Sequence, residues 1–243
     1  MLMQTPARSL ATNSSNSSMS SSPSTSTTPS PCVVSRPAAS QSGPLGILDL
    51  MGTQMTFGPN EEIFGEGEPA EYVYKVASGA VRICKFLSDG RRQVGAFYLP
   101  GDIFGLEIGK EHQFCAEAIG TAVVTVVRRS AVVSLAERDC EAARALWGYT
   151  ARELRRAQEH MLLLVKNAQQ RVACFLLEMS KRLSATETLD LPMARQDIAD
   201  YLGLTIETVS RTMSQLVSEA AIGLPNSRHI VLRNANALRR LNS

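Results

Sequence analysis

The stretch that most constrains this chain runs from Pro192 to Leu216. It reads as two short helices about a tight turn. Ile198, Ala199 and Leu202 fall at i, i+1 and i+4, a narrow apolar face for the first helix. Gly203 stops that helix, because glycine enters the left-handed conformation without a Cβ penalty. Thr205 is a good N-cap for the second helix, and Thr208 three residues on keeps that end polar. The spacing has the second helix burying Ile206, Val209, Met213 and Leu216 and showing Glu207, Ser210, Arg211 and Ser214 on its other face.

This is the layout of a helix-turn-helix whose second helix enters a DNA major groove. Ala199 is small enough to let the two helices approach closely. A helical hairpin inside a larger helical domain would share the periodicity, so the choice rests on chemistry. Glutamate can accept from a cytosine amino group, arginine can fork onto guanine O6 and N7, and serine can go either way. As an ordinary surface pair four residues apart, Glu207 and Arg211 would contribute only about 0.3 kcal/mol. The face chemistry favours DNA.

The run Asp-Ile-Ala-Asp-Tyr-Leu-Gly-Leu-Thr-Ile-Glu-Thr-Val-Ser-Arg, ending at Arg211, resembles the helix-turn-helix of the CRP/FNR regulators. It is closer still to the FixK branch, regulators of nitrogen fixation and oxygen limitation. The resemblance covers nearly everything after the first forty-odd residues. The Glu-x-x-Ser-Arg pattern at Glu207, Ser210 and Arg211 is specific to the FNR-like half of the family.

Composition sets limits on that reading. A chain of 243 residues with 44% apolar content holds one large or two modest domains. The net charge is only +2, and the segment from Arg171 to Ser243 has nine Lys and Arg against seven Asp and Glu. Basic groups must therefore be placed rather than plentiful, which disfavours strong non-specific binding. The five cysteines, Cys32, Cys84, Cys115, Cys140 and Cys174, are scattered, with no Cys-x-x-Cys and no histidine at ligand spacing. No secretory signal and no apolar run long enough for a bilayer is found. A reducing cytoplasm, free thiols and no metal are expected.

Residues 1–42 are dominated by Ser, Thr, Pro, Asn and Ala, and read as a disordered tail. In the FNR-like sensors this region carries clustered cysteines for an iron–sulfur cluster. Here it has only Cys32, so the resemblance does not extend to that cofactor.

From 43 to 133, short β-branched runs alternate with Gly and Asp turns, the pattern of a sandwich or jelly roll. Ser88-Asp89-Gly90 looks like a hairpin turn. Cys115 to Ile119 and Thr121 to Val127 read as a strand pair. Gly65-x-Gly67, Ser78-Gly79 and Pro100-Gly101-Asp102-Ile103-Phe104-Gly105 resemble the cyclic-nucleotide-binding-type β-roll of the same family. That resemblance carries no ligand with it. The Arg-Ser-Ala expected to close a phosphate cassette is replaced by Gln113-Phe114-Cys115-Ala116. Lys110 is a weak anion anchor, and Arg129-Ser130-Ala131 reads as the turn into the next helix. No cofactor is predicted. His112, His160 and His229 are isolated in sequence and read as surface or satisfied histidines.

Residues 134–167 read as a long dimerisation helix. Ala143, Trp147, Thr150, Leu154, Ala157, Met161, Leu164 and Ala168 alternate at four and three, a modest coiled-coil seam. Arg152, Glu153, Arg156, Gln158 and Glu159 are expected on wet flanks. Paired through Trp147, Leu154, Ala157, Met161 and Leu164, the chain becomes a two-fold homodimer. Residues 168–243 complete the fold as a winged helix-turn-helix, with a further helix near 167–183 as its floor and a Pro225-Asn226 hairpin as its wing. The fold class is α+β.

No paired carboxylates, nucleophile elbow or phosphate loop is found, so an enzyme is not expected. The expectation is a homodimeric transcription activator on a palindromic duplex, with RNA polymerase as a further partner and no membrane contact. Arg211 is expected to read guanine, Glu207 the complementary amino edge, Ser210 a neighbouring thymine, and Ile206 a thymine methyl. The half-site suggested is TTGAT rather than the TGTGA of the cyclic-AMP receptors. Arg195, Thr205 and Thr208 sit where phosphate contacts would position the helix. Two alternatives stay open: a ligand- or thiol-switched sensor of the same family, and a β-roll that gates another protein.

Overall fold

Short runs of β-branched residues, each broken by a glycine or aspartate turn, give eight strands in the first half of the chain. The computed structural model describes residues 46–107, 109–185 and 187–241. The expected tail, with Cys32, lies outside the described residues. The order is α1 (Ile47–Met51), β1 (Thr53–Phe57), β2 (Glu62–Phe64), β3 (Tyr72–Ser78), β4 (Val81–Phe86), β5 (Arg92–Tyr98), β6 (Ile103–Phe104), β7 (Cys115–Ala118) and β8 (Ala122–Arg128). One sheet has the order β1-β8-β3-β6 and the other β2-β7-β4-β5, with antiparallel pairing in both.

The expected strand pair over 115–127 needs correction. Both segments are strands, but they do not pair with each other. β7 lies between β2 and β4, while β8 lies between β1 and β3. The chain crosses from one sheet to the other at Gly120 and Thr121. This crossing is what closes the roll over its core.

That core holds Phe64, Tyr74, Val76, Val81, Phe104, Ala116 and Val124, all buried. The Phe64 ring lies 5.1 Å from Tyr74 on the opposing sheet. Each large apolar side chain removed from water contributes roughly 1.5–3 kcal/mol. The β3–β4 turn is held by Gly79, with φ of +79°. A Cβ there would lie 2.5 Å from the Thr121 carbonyl oxygen, so glycine is required by conformation and by space.

The predicted continuous helix over 134–167 is also corrected. The chain forms α2 (Arg129–Arg138) and α3 (Cys140–Leu163), broken at Asp139. Asp139 is extended, and its carboxylate accepts from the Glu141 N–H at 2.8 Å and the Ala142 N–H at 3.4 Å. An N-capping aspartate satisfies the open donors of a new helix better than it serves inside an old one. Tyr149 on α3 fixes this helix to the roll. Its hydroxyl accepts from the Ile103 N–H and lies within a buried cluster with Leu48, Val73, Val127 and Val132.

α4 (Ala168–Arg182) opens with a reciprocal cap: Asn167 Oδ1 accepts from the Gln170 N–H, and Gln170 Oε1 accepts from the Asn167 N–H. It buries Val172, Phe175, Leu176 and Met179 at helical spacing. There follow β9 (Thr188–Asp190), α5 (Arg195–Leu202), α6 (Ile206–Ser218), β10 (Ile222–Gly223), β11 (His229–Leu232) and α7 (Ala235–Leu241). The wing is more than the expected hairpin. It is a three-stranded sheet of order β10-β11-β9, its third strand supplied from before the helix-turn-helix. α7 packs on α4 and buries Leu238. No described helix is long and apolar enough to cross a membrane.

Candidate nucleic-acid interface

α5 turns Ile198, Ala199 and Leu202 inward, all buried. Gly203 ends it in the left-handed region, with φ of +61°, and the next N–H, of Leu204, returns to the Ala199 carbonyl at 3.0 Å. Arg171, on α4, braces this turn. Its guanidinium donates to the carbonyls of Leu202 at 2.8 Å and Gly203 at 3.4 Å, and also to those of Leu164 at 2.6 Å and Lys166 at 2.7 Å. One side chain thus joins the end of α3 to the turn before α6. Sequence reasoning missed it, since nothing local to Arg171 marks it.

The Thr205 hydroxyl oxygen accepts from the Thr208 N–H at 3.2 Å, capping α6. Val209, Met213 and Leu216 are buried. Ile206 is not. It is 37% exposed, because the first residue of α6 overhangs the contact with α5. The burial expected for it is corrected, and its side chain stands at the entrance to the outward face. Glu207 and Arg211 are exposed and Ser210 is half-buried on that face. The bland surface pair is not formed between Glu207 and Arg211 among the described residues. The Glu207 carboxyl is held below the usual carboxylate range, first by its own backbone N–H and then by the Thr205 hydroxyl. It is an ionised acceptor at neutral pH. Thr205 is exposed, while Thr208 and Arg195 are half-buried beside the same helix ends.

On α3, Trp147 is 78% exposed, Leu154 61% and Met161 63%. Ala157 is exposed, and Leu164, just past the helix end, is half-buried. Leu162 and Val165 are also exposed and widen this apolar stripe. Two of the five flank residues expected to be wet are only partly so. Arg156 reaches Asp102 at 3.2 Å and Glu153 at 2.6 Å, both part-buried.

Inside the roll, the hollow that a cyclic nucleotide would need is differently furnished. His112 is buried, not on the surface; its ring stacks on Phe64 at 3.6 Å and its Nδ1 lies 3.3 Å from Glu107. Arg129-Ser130-Ala131, expected as a turn, is instead the start of α2, and the Arg129 guanidinium reaches back to the carbonyls of Gly109 at 2.8 Å and Gly105 at 3.4 Å. Lys110 is exposed. Among the described residues of this loop, Arg129 is engaged by backbone carbonyls and Glu107 adds a carboxylate, which leaves Lys110 as its exposed cation. A cleft of about 450 Å³ beside it is lined by Tyr98, Phe104, Leu154, Arg156, His160 and Tyr201. The His160 ring lies 4.1 Å from that of Tyr201, and burial lowers its pKa. His229 pairs with Asp190 across the wing at 2.5 Å.

Two of the cysteines that are far apart in sequence meet in space. Cys84 and Cys115 face each other across β4 and β7, with sulfurs 3.1 Å apart, both buried. The Cys115 thiol also donates to the Cys84 carbonyl at 3.0 Å, and burial pushes the Cys84 thiol up first of all. Glu117 lies close enough to complete a three-donor cluster, but its carboxylate already accepts from Arg82.

Residues 170–241 match the family model for a Crp-like helix-turn-helix domain, and residues 54–139 match the model for a cyclic nucleotide-binding domain. Over 213 residues the chain is 50% identical to the nitrogen fixation regulation protein FixK of Azorhizobium caulinodans, covering 85% of this chain and 86% of that one. The chain belongs to the CRP/FNR family, in its FixK branch. A second FixK, from Rhizobium meliloti, is 41% identical over 85% of this chain and 96% of its own length. The solved structure of FixK2 from Bradyrhizobium japonicum superposes with a TM-score of 0.76 at 54% identity, covering 79% of this chain and 98% of that one. Like other members of this branch, the chain is a transcription regulator that works through its helix-turn-helix.

Proposed function

We propose that this FixK-branch chain acts as a homodimeric transcription activator that reads an inverted repeat and needs no small-molecule effector. The observation that carries the reading is the outward face of α6, where Glu207, Ser210 and Arg211 stand together on a helix capped by Thr205 and braced by Arg171. Arg211 forks onto guanine, Glu207 accepts from the amino edge of the complementary strand, and Ser210 meets a neighbouring thymine. Ile206, exposed at the helix entrance, packs on a thymine methyl. The half-site is of the TTGAT type. Arg195, Thr205 and Thr208 contact backbone phosphate.

The apolar stripe of α3 supports dimerisation through Trp147, Leu154, Ala157, Met161 and Leu164. Two such chains would set their α6 helices about 34 Å apart, one turn of duplex. The promoters served are those of nitrogen fixation and microoxic respiration, and the bound dimer engages RNA polymerase in the cytoplasm. The reading of effector independence is supported by the interior of the roll, where Arg129 donates to backbone carbonyls and His112 stacks on Phe64.

Band shifts with purified, reduced protein and no additive test this. The wild type should bind a TTGAT inverted repeat. Arg211→Ala should lose about 1–3 kcal/mol at the cognate guanine and lose its discrimination there. Unchanged discrimination would overturn the assignment. Binding only after an oxidant or a cyclic nucleotide is added would favour a switched sensor instead.

A further inference from the structure

The helix-turn-helix is tied to the β-roll by more than the chain that leads into it. α5 lies against β5, and beside the packing of Tyr201 on Phe97 the contact carries a set of ion pairs. Arg82 on β4, 5% exposed, donates to Asp197 Oδ1 at 3.1 Å, to Glu117 Oε2 at 2.8 and 2.5 Å, and to Asn60 Oδ1 at 3.0 Å. Arg92 on β5 donates to the same Asp197 oxygen at 2.6 Å and to Asp200 Oδ2 at 2.8 Å. The other oxygen of Asp197 accepts from the Ala194 N–H at 3.1 Å, at the start of α5. Gln93 reaches the Tyr201 carbonyl at 3.4 Å.

Two guanidiniums converging on one buried carboxylate oxygen define a single seat. Sliding α5 along the sheet would part Asp197 from both arginines and leave charge buried without a partner, which is strongly unfavourable. α6 follows α5 through one glycine turn and a shared core, so the direction of α6 follows from the seat. Glu207 and Arg211 lie on an exposed face, away from the seated edge.

We infer that Arg82, Arg92, Asp197 and Asp200 form a positioning clamp that sets the angle of the recognition helix against the roll, and so the spacing between half-sites that the dimer accepts. None of the four need touch a base. The inference rests on the homodimer reading above. Tyr149 and Arg156 tie α3 to the roll near Asp102, so the path from the seam to α5 runs through fixed parts.

The test compares wild type with Arg92→Gln, Asp200→Asn and the charge-keeping Arg92→Lys on operators whose spacer is natural or changed by one or two base pairs. Arg92→Gln and Asp200→Asn remove the wetter half of the clamp and leave Arg82 and Asp197 in place to preserve folding. Their preference for the natural spacer should fall by about tenfold, and Arg92→Lys should lie between them and wild type. The penalty for replacing the guanine read by Arg211 should not change. Amide hydrogen exchange in α5, measured without DNA, should rise in Arg92→Gln. A wild-type spacer preference in Arg92→Gln, an equal loss on every spacer, or unchanged exchange in α5 would overturn the clamp. A wild type with no preference for inverted repeats would instead bring down the dimer reading and the spacing role with it.

Discussion

Arg182 and Asp102 form an ion pair at 2.7 Å that joins the last turn of α4 to the turn between β5 and β6. The same arginine donates to the Phe97 carbonyl at 2.6 Å, and Arg156 of α3 holds the other oxygen of Asp102. Both partners are largely shielded. Arg182→Ala should lower unfolding stability by about 1.5–3 kcal/mol, the range for a hydrogen bond to a charged group. A double-mutant cycle with Arg156→Ala, followed by urea unfolding, should show non-additive losses, because both arginines serve one carboxylate.

Trp147 is the single tryptophan, and it is 78% exposed on one chain. If α3 pairs with its copy, dilution should shift its emission to the red as the seam opens. Leu154→Asp should hold the emission red at every concentration and give a monomer by sedimentation. A spectrum independent of concentration in a protein that sediments as a dimer would place the seam elsewhere.

Glycine substitutions should separate strain from crowding. Gly90 and Gly79 both have positive φ, but a Cβ at Gly90 meets nothing within 4 Å while one at Gly79 meets the Thr121 carbonyl. Gly90→Ala should cost about 1–2 kcal/mol, the conformational penalty alone. Gly79→Ala should cost distinctly more, because the two strands it joins must part. Urea midpoints of the two variants measure the difference.

Burial depresses the pKa of His160, so the folded chain holds the neutral ring. The unfolded chain binds the proton more tightly, and stability from this group is complete above the ordinary histidine value near 6.5. It is lost as pH falls from there toward the folded pKa. Glu178 acts in the opposite sense: burial raises its pKa, so protonation on acidification favours the fold. The difference between wild type and His160→Gln isolates the histidine. Wild type should lose more stability than the variant between pH 7 and pH 5.5 in urea titrations.

Thiol chemistry should divide the cysteines. Cys140 is exposed, whereas Cys84 and Cys115 are buried and hydrogen-bonded to each other. Iodoacetamide should label Cys140 in the native protein, and the facing pair only in denaturant, as intact mass would show. Rapid labelling of Cys84 under native conditions would mean that β4 and β7 open readily.

The helix-turn-helix was legible because all its signals are local. A four-residue spacing, a glycine stop and a threonine cap sit within twenty-five residues. The roll was legible in kind but not in connection. β7 and β8 follow one another closely yet belong to different sheets, and no short-range pattern reports which sheet a strand joins. Asp139 was readable as a cap, but the helical texture on both sides of it masked the break. β9 is three residues long and gains its place only by pairing with β11. The Arg82 and Asp197 contact spans 115 positions. Each residue looks like an ordinary surface charge until the fold removes the water around it.

Arg171 has a consequence of its own. A single rigid, planar cation is shared between four oxygens, two at the foot of the seam and two at the bend before the reading helix. Those two places are mechanically one joint. In the proposed dimer, a twist at the subunit contact would reach α6 by this short route without passing through the roll, and substitutions near residue 166 would be felt at the start of α6, some forty positions further along the chain.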